Sequence, residues 1–240
     1  MSMKLNQKTV FFVRHCESSN NQVSNETKEC LRGLMRGKIP NSSDFKALSA
    51  VAFQPYDCEI TGRGRVDIID ISRVLKEHDF WHKYQPELIV HSPLIRARET
   101  AKGIYQSAPA PYNEISIIEN EDLREATTYE QMVDSSGMTK RIKSFKKWLF
   151  SLEEHVIIVV GHGNYFRRML NYKNQIYNCD VLTAKFCGSY KGSEKDSSKQ
   201  KDPSTELVFE KVRLVYHITA TFYKFSSKDH RPVAPTLPSC

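Results

Sequence analysis

An arginine and a histidine, Arg14 and His15, close the apolar run Val10-Phe11-Phe12-Val13. A second apolar stretch, Glu87-Leu88-Ile89-Val90-His91, leads through Ser92-Pro93 to Arg96 and Arg98. A third, His155-Val156-Ile157-Ile158-Val159-Val160, ends at Gly161-His162-Gly163. An imidazole beside a fixed positive charge can serve as a nucleophile or as an anion contact. Arginines and histidines brought together would repel one another unless they held an anion. A tetrahedral phosphate suits them, because a guanidinium meets phosphate oxygens two at a time.

The elements between these residues decide whether they can meet. Residues 9–13 read as a buried strand, and 87–91, 115–118 and 155–160 as further strands. Amphipathic or short helical patterns occupy 63–78, 94–106, 138–152 and 164–172. Thr61 is a fitting N-cap for the first of these helices, and Pro93 ends the second strand. Strands alternating with helices predict βαβ units and a mainly parallel sheet. In such a sheet the carboxyl ends share one edge, where ligands bind. Residues 181–187 and 207–224 read as further strands. The polar segment 22–56 is a long connection with a helix expected near 24–36. Residues 189–204 are expected to form a mobile loop and 226–240 a disordered tail.

Composition narrows the class. The chain has 240 residues, 40% hydrophobic and 26% charged, as in an ordinary soluble protein. It holds no apolar run of membrane-spanning length and no secretory signal, so a cytoplasmic protein with no membrane partner is expected. Cys16, Cys30, Cys58, Cys179, Cys187 and Cys240 show no metal-ligand spacing and are expected as reduced thiols. The net charge of +7 favours anionic partners without choosing among them.

Four segments in order resemble the histidine phosphatase superfamily, in the branch of the cofactor-dependent phosphoglycerate mutases. They are Val13-Arg14-His15-Cys16-Glu17-Ser18-Ser19-Asn20-Asn21, Ile60-Thr61-Gly62-Arg63-Gly64, the stretch from His91 to Ala101, and the stretch from Val159 to Leu170. The resemblance spans about residues 9–187. It implies one domain, a three-layer α/β/α sandwich of the phosphoglycerate mutase-like type. The acid-phosphatase branch fits less well, since Ser18 stands at its second arginine and Gly163 follows the distal histidine.

The resemblance also implies roles. His15 would attack phosphorus and carry a phosphohistidine. Arg14, Arg96 and a protonated His162 would hold the phosphoryl oxygens, with Asn21 facing the phosphate. Glu125 would be the acid and base, although Glu119, Glu121, Asp122 and Glu130 crowd its region. No metal or other cofactor is required. Physical chemistry agrees, since Arg14 and Arg96 should lower the pKa of His15, and a backbone carbonyl should fix its tautomer. Alternatives remain for several residues. Asn20 or Asn21 could be an N-cap, Arg167 is expected to pack near its helix start, and His91 is expected to be structural.

The chain departs from the family at Cys16, where a glycine or alanine is usual. A small side chain suffices there, with an oxidation-sensitive thiol as the minor alternative. Asp67 and Glu99 each replace a glutamine, and Asp67 is expected to lie on a helix away from chemistry. The stretch after Glu125 lacks the mutase pattern, which favours hydrolysis of a phosphomonoester over mutase transfer. The expected partner is a phosphorylated small molecule or phosphoprotein. A catalytically weak phospho-ligand binder is a further alternative. No nucleic-acid partner is expected, although Lys140, Arg141, Lys143, Lys146 and Lys147 form a basic cluster. Segments 22–56 and 126–137, which would wall the pocket, carry no readable substrate signal.

Overall fold

Val10 and Phe12 face one side of a sheet while Phe11 and Val13 face the other, so one apolar run builds two cores. The computed structural model describes residues 4–21, 23, 30, 32, 33, 35–37, 42, 57–127, 130, 136–190 and 205–217. In chain order the elements are β1 (Lys4–Arg14), α1 (Gly62–Glu77), α2 (Phe80–Tyr84), β2 (Leu88–His91), α3 (Ile95–Gln106) and β3 (Ser116–Glu119). Then follow α4 (Ser136–Ser151), β4 (Val156–Gly161), α5 (Gly163–Leu170), β5 (Val181–Tyr190) and β6 (Thr205–Tyr216).

The strands form a six-stranded sheet in the order β3-β2-β4-β1-β5-β6. The first four are parallel, and β5 and β6 add an antiparallel edge. Helices α4 and α5 cover the Val10–Phe12 face through Phe145, Leu149, Tyr165 and Phe166. Helices α1, α2 and α3 cover the Phe11–Val13 face through Ile71, Leu75, Trp81, Ala101 and Ile104. The result is the expected α/β/α sandwich around a mainly parallel sheet.

Local chemistry sets several boundaries. Thr61 caps α1 by accepting from the Gly64 amide at 3.0 Å. Helix α5 stops at Asn171, whose φ of 50° is the left-handed conformation common after a helix end. The buried Lys8 donates to the carbonyls of Leu152 (2.5 Å) and Glu154 (2.8 Å), just past the end of α4.

Some boundaries differ from expectation. β5 runs on to Tyr190, so residues 189 and 190 belong to a strand rather than a loop. Helix α2 is too short to show periodicity, yet it buries Phe80 and Trp81. The sixth strand is seen to Tyr216, and residues 218–224 lie outside the described residues. So do most of 22–56 and all of 191–204 and 226–240. Cys16, Cys30, Cys58, Cys179 and Cys187 are buried. Among the described residues no helix is long and apolar enough to cross a membrane.

Candidate active site

Register brings the three polar strand ends together. Arg14 lies opposite Gly161 across β1 and β4, and His91 opposite Val160 across β2 and β4. One residue further on, the His15 amide donates to Gly161 O (2.9 Å) and the Ser92 amide to Val160 O (3.0 Å). His15, His162 and Ser92 therefore sit side by side at one sheet edge. The rings of His15 and His162 are 5.1 Å apart between centroids.

Above this edge lies a cavity of about 470 Å³. Arg14, His15, Asn21, Arg96 and Glu125 all line it, as do Ser18, Asn20, Asn164, Arg167 and residues 175–178. Residues more than a hundred positions apart in the chain thus share one space. His162 is fully buried behind His15 and is not among the lining residues.

The nucleophile candidate is held in one orientation. His15 Nδ1 is 2.7 Å from the Cys16 carbonyl, which can only accept, so Nδ1 carries the proton. Nε2 keeps its lone pair. Burial, then the charges of Arg14 and Arg96, push the His15 pKa well below the usual imidazole range. The ring is therefore neutral at physiological pH.

Arg14 donates through Nη1 to Ile176 O at 2.6 Å, and its Nε is buried without a partner. A Cβ on Gly163 would lie 3.2 Å from Arg14 Cδ and 3.3 Å from Arg14 Nε. The glycine after His162 thus leaves room for the guanidinium. Arg96 stands in the first turn of α3, 94% buried, with Nη1 4.0 Å from Cys58 Sγ. Arg98, its neighbour in the motif, does not line the cavity.

Glu125 follows a short turn after β3 and accepts from the Ala126 amide at 3.0 Å. Burial raises its pKa, opposed by that hydrogen bond and by Arg96, Arg14 and Arg141. A carboxyl group raised in this way can carry a proton and deliver it. Glu130 instead forms a two-pronged ion pair with Arg141 at 2.7 and 3.0 Å, which lowers its pKa. Of the carboxylates crowding this region, Glu125 alone lines the cavity.

His162 corrects an expectation. Burial first, then His15, Arg96 and Arg14, push its pKa well below the ordinary value, so it is neutral rather than protonated. Its Nε2 is 2.8 Å from Ser92 Oγ, while the Leu94 amide donates to that same oxygen at 3.4 Å. The serine hydroxyl has a second acceptor site besides the one used by Leu94, so it can give or take the hydrogen bond with Nε2 according to the tautomer of the ring. His162 Nδ1 is buried without a partner.

Asn21 does two things at once. It lines the cavity, and its Oδ1 accepts from the Ser18 amide (3.2 Å) and Ser18 Oγ (3.0 Å), as in a capping box. Arg167 lines the cavity and donates through Nη2 to Lys173 O at 3.4 Å. Asp67 is a second correction. It is buried and accepts from the Glu17 amide (3.0 Å) and Arg63 Nε (2.8 Å), so it braces the loop that carries His15. Cys16 is fully buried, and burial pushes its thiol up to about 11. A sealed, protonated thiol is inert, which removes the oxidation-sensitive alternative. His91 is buried with Nδ1 2.9 Å from Ser92 O, as a structural residue would be.

Sequence reading missed Asn178, whose Nδ2 donates to the His15 carbonyl at 2.8 Å. It also missed the wall formed by Gln175, Ile176 and Tyr177. That loop has no periodicity and no motif, so no signal marked it. Ser92 was visible only as the end of a strand.

No protein-family model and no curated protein matches the chain. Among solved structures the chain is similar to a phosphoserine phosphatase from Entamoeba histolytica. The identity is 17%, covering 74% of this chain and 90% of that one, with a TM-score of 0.44. It is also similar to a mycobacterial glucosyl-3-phosphoglycerate phosphatase at 13% identity, 85% and 97% coverage and a TM-score of 0.47. A mycobacterial hydrolase matches at 14% identity, with 85% and 97% coverage and a TM-score of 0.47.

Proposed function

We propose that the chain is a phosphomonoester hydrolase of the histidine phosphatase type, working through a phosphohistidine on His15. The observation that carries this reading is the fixed tautomer of His15. Its Nδ1 proton is tied to the Cys16 carbonyl, and its ring lines the same cavity as Arg14, Arg96 and Glu125. The four ordered sequence segments support the same family.

The mechanism follows from these groups. Arg14 and Arg96 take the nonbridging oxygens of a phosphate ester, with a further donor in the Asn21 amide nitrogen and His162 packed behind the His15 ring. His15 Nε2 attacks phosphorus in line with the leaving oxygen. Glu125 gives that oxygen its proton as the P–O bond breaks. The alcohol leaves, and Glu125, now a carboxylate, takes a proton from water. The water oxygen attacks the phosphohistidine, freeing phosphate and restoring neutral His15. Guanidinium groups supply the fixed positive charge that phosphoryl transfer needs.

The amide-rich wall of Asn20, Asn164, Gln175 and Asn178, with Arg167 on the rim, supports a small polar leaving group. A mutase would have to keep and turn a phosphorylated intermediate, and the residues after Glu125 lack the pattern for that. The test is a panel of p-nitrophenyl phosphate, 3-phosphoglycerate and other phosphometabolites, with the wild type and His15→Ala. Hydrolysis lost in His15→Ala supports the reading. Hydrolysis absent from every substrate, or unchanged in His15→Ala, contradicts it, and mutase turnover faster than hydrolysis favours a transferase.

A further inference from the structure

The opposite end of the sheet carries a second pocket, of about 340 Å³, between α2 and the strands β1, β5 and β6. Lys83, Lys185, Lys211 and Arg213 line it together with Thr9 and Tyr84, and no carboxylate does. Among the described residues none of these cations forms an ion pair within 4 Å. Lys185 Nζ is held by Thr9 Oγ1 at 2.6 Å, and Lys83 Nζ lies 5.2 Å from the centre of the Tyr84 ring.

The backbone is bent to make this pocket. Thr183 pairs with Arg213 and Lys185 with Glu210, so Ala184 faces two residues, Lys211 and Val212. This is a β-bulge, a device that re-aims side chains. Lys211 occupies it with φ of 55°, the left-handed conformation in which glycine is the unstrained choice. The chain places a charged lysine where glycine would fit best, and such outliers cluster at binding sites.

We infer that this pocket binds a linear polyphosphate, such as inorganic tripolyphosphate or the triphosphate of a nucleotide. Four like charges around one pocket repel one another until an anion arrives. A single phosphate offers at most two charges, whereas a polyphosphate chain can match all four. Arg213 can grip two oxygens at once, and the lysines act as point charges. Thr9 lies five residues before Arg14 on β1, roughly 16 Å along an extended strand. A ligand here does not touch His15, so the site is independent of the phosphatase reading.

The test is a titration of the ¹⁵N-labelled full chain with tripolyphosphate, ATP, adenosine and inorganic phosphate, followed by amide shifts. Tripolyphosphate and ATP should shift the amides of residues 183–185 and 211–213 saturably, and adenosine should not. Inorganic phosphate should bind there about tenfold or more weakly. Lys211→Gly/Arg213→Gln should weaken tripolyphosphate binding about tenfold or more and leave p-nitrophenyl phosphate turnover unchanged. Lys211→Gly relieves the left-handed position, so loss of binding in a variant as stable as wild type is not a folding defect. Shifts confined to the His15 cavity, or equal affinity in the variant, would overturn the proposal. A response to ATP and adenosine alike, with none to tripolyphosphate, would also overturn it and assign a nucleoside site instead.

Discussion

His15 is buried and Glu125 is half-buried at the same cavity, and loss of solvent moves their pKa values in opposite directions. The imidazole must be neutral to attack, so it works above its lowered pKa. The carboxyl must be protonated to act as an acid, so it works below its raised pKa. The active window therefore lies above the lowered pKa of His15 and below the raised pKa of Glu125. The pH profile of kcat/KM should fall as pH rises through the Glu125 pKa, and Glu125→Gln should remove that alkaline limb. The same variant should slow hydrolysis of alkyl phosphates by on the order of 10²–10⁴-fold. With p-nitrophenyl phosphate, whose leaving group needs little protonation, the loss should be much smaller. Equal losses on both substrates would remove Glu125 from the acid role. Arg14, His15 and Arg96 were read from the sequence because each stands at or after a strand end within one of the four segments, whereas Glu125 lies outside those segments and was picked from among neighbouring carboxylates. Asn178 was not, because its contribution is one hydrogen bond to the His15 carbonyl from an irregular loop. The neutral state of His162 was also hidden, since it depends on complete burial.

At the scale of elements, two glycines hold the loops of the site in place. Gly64 in α1 packs directly on the Glu17 carbonyl, and a Cβ there would collide with it. Gly64→Ala should cost about 1–3 kcal/mol by overpacking, seen as a lower Tm, and should reduce activity by moving the His15 loop. Gly163→Ala is a different case, since its Cβ would press on the Arg14 side chain at 3.2 Å rather than on backbone. It should lower kcat/KM with little change in Tm; an equal loss of both would mean that Gly163 serves the fold rather than Arg14. The strand runs were legible because β-branched and aromatic residues at 10–13 and 156–160 leave no other reading. The bracing by Asp67 was not, because a helix residue facing a loop carries no periodic signal. Helix α2 escaped notice for its shortness.

The whole molecule keeps its stability and its chemistry at different places. The two cores flank the strand middles, whereas the cavity sits at their carboxyl edge. Phe145→Ala, in the core beneath α4, should therefore cost roughly 3–5 kcal/mol in chemical denaturation. In the fraction that remains folded, kcat should be near that of the wild type. The parallel sheet and the sandwich were legible in the alternation of strand and helix patterns. The antiparallel edge was legible only as strands, because partner and direction depend on register. The measurement that bears most directly on the central claim is rapid quenching of turnover, followed by peptide mass spectrometry under alkaline conditions that preserve phosphohistidine. The wild type should carry one phosphoryl group on His15 during turnover, and His15→Ala should carry none and release no phosphate. Steady turnover without phosphorylated His15, persisting in His15→Ala, would contradict a phosphohistidine mechanism.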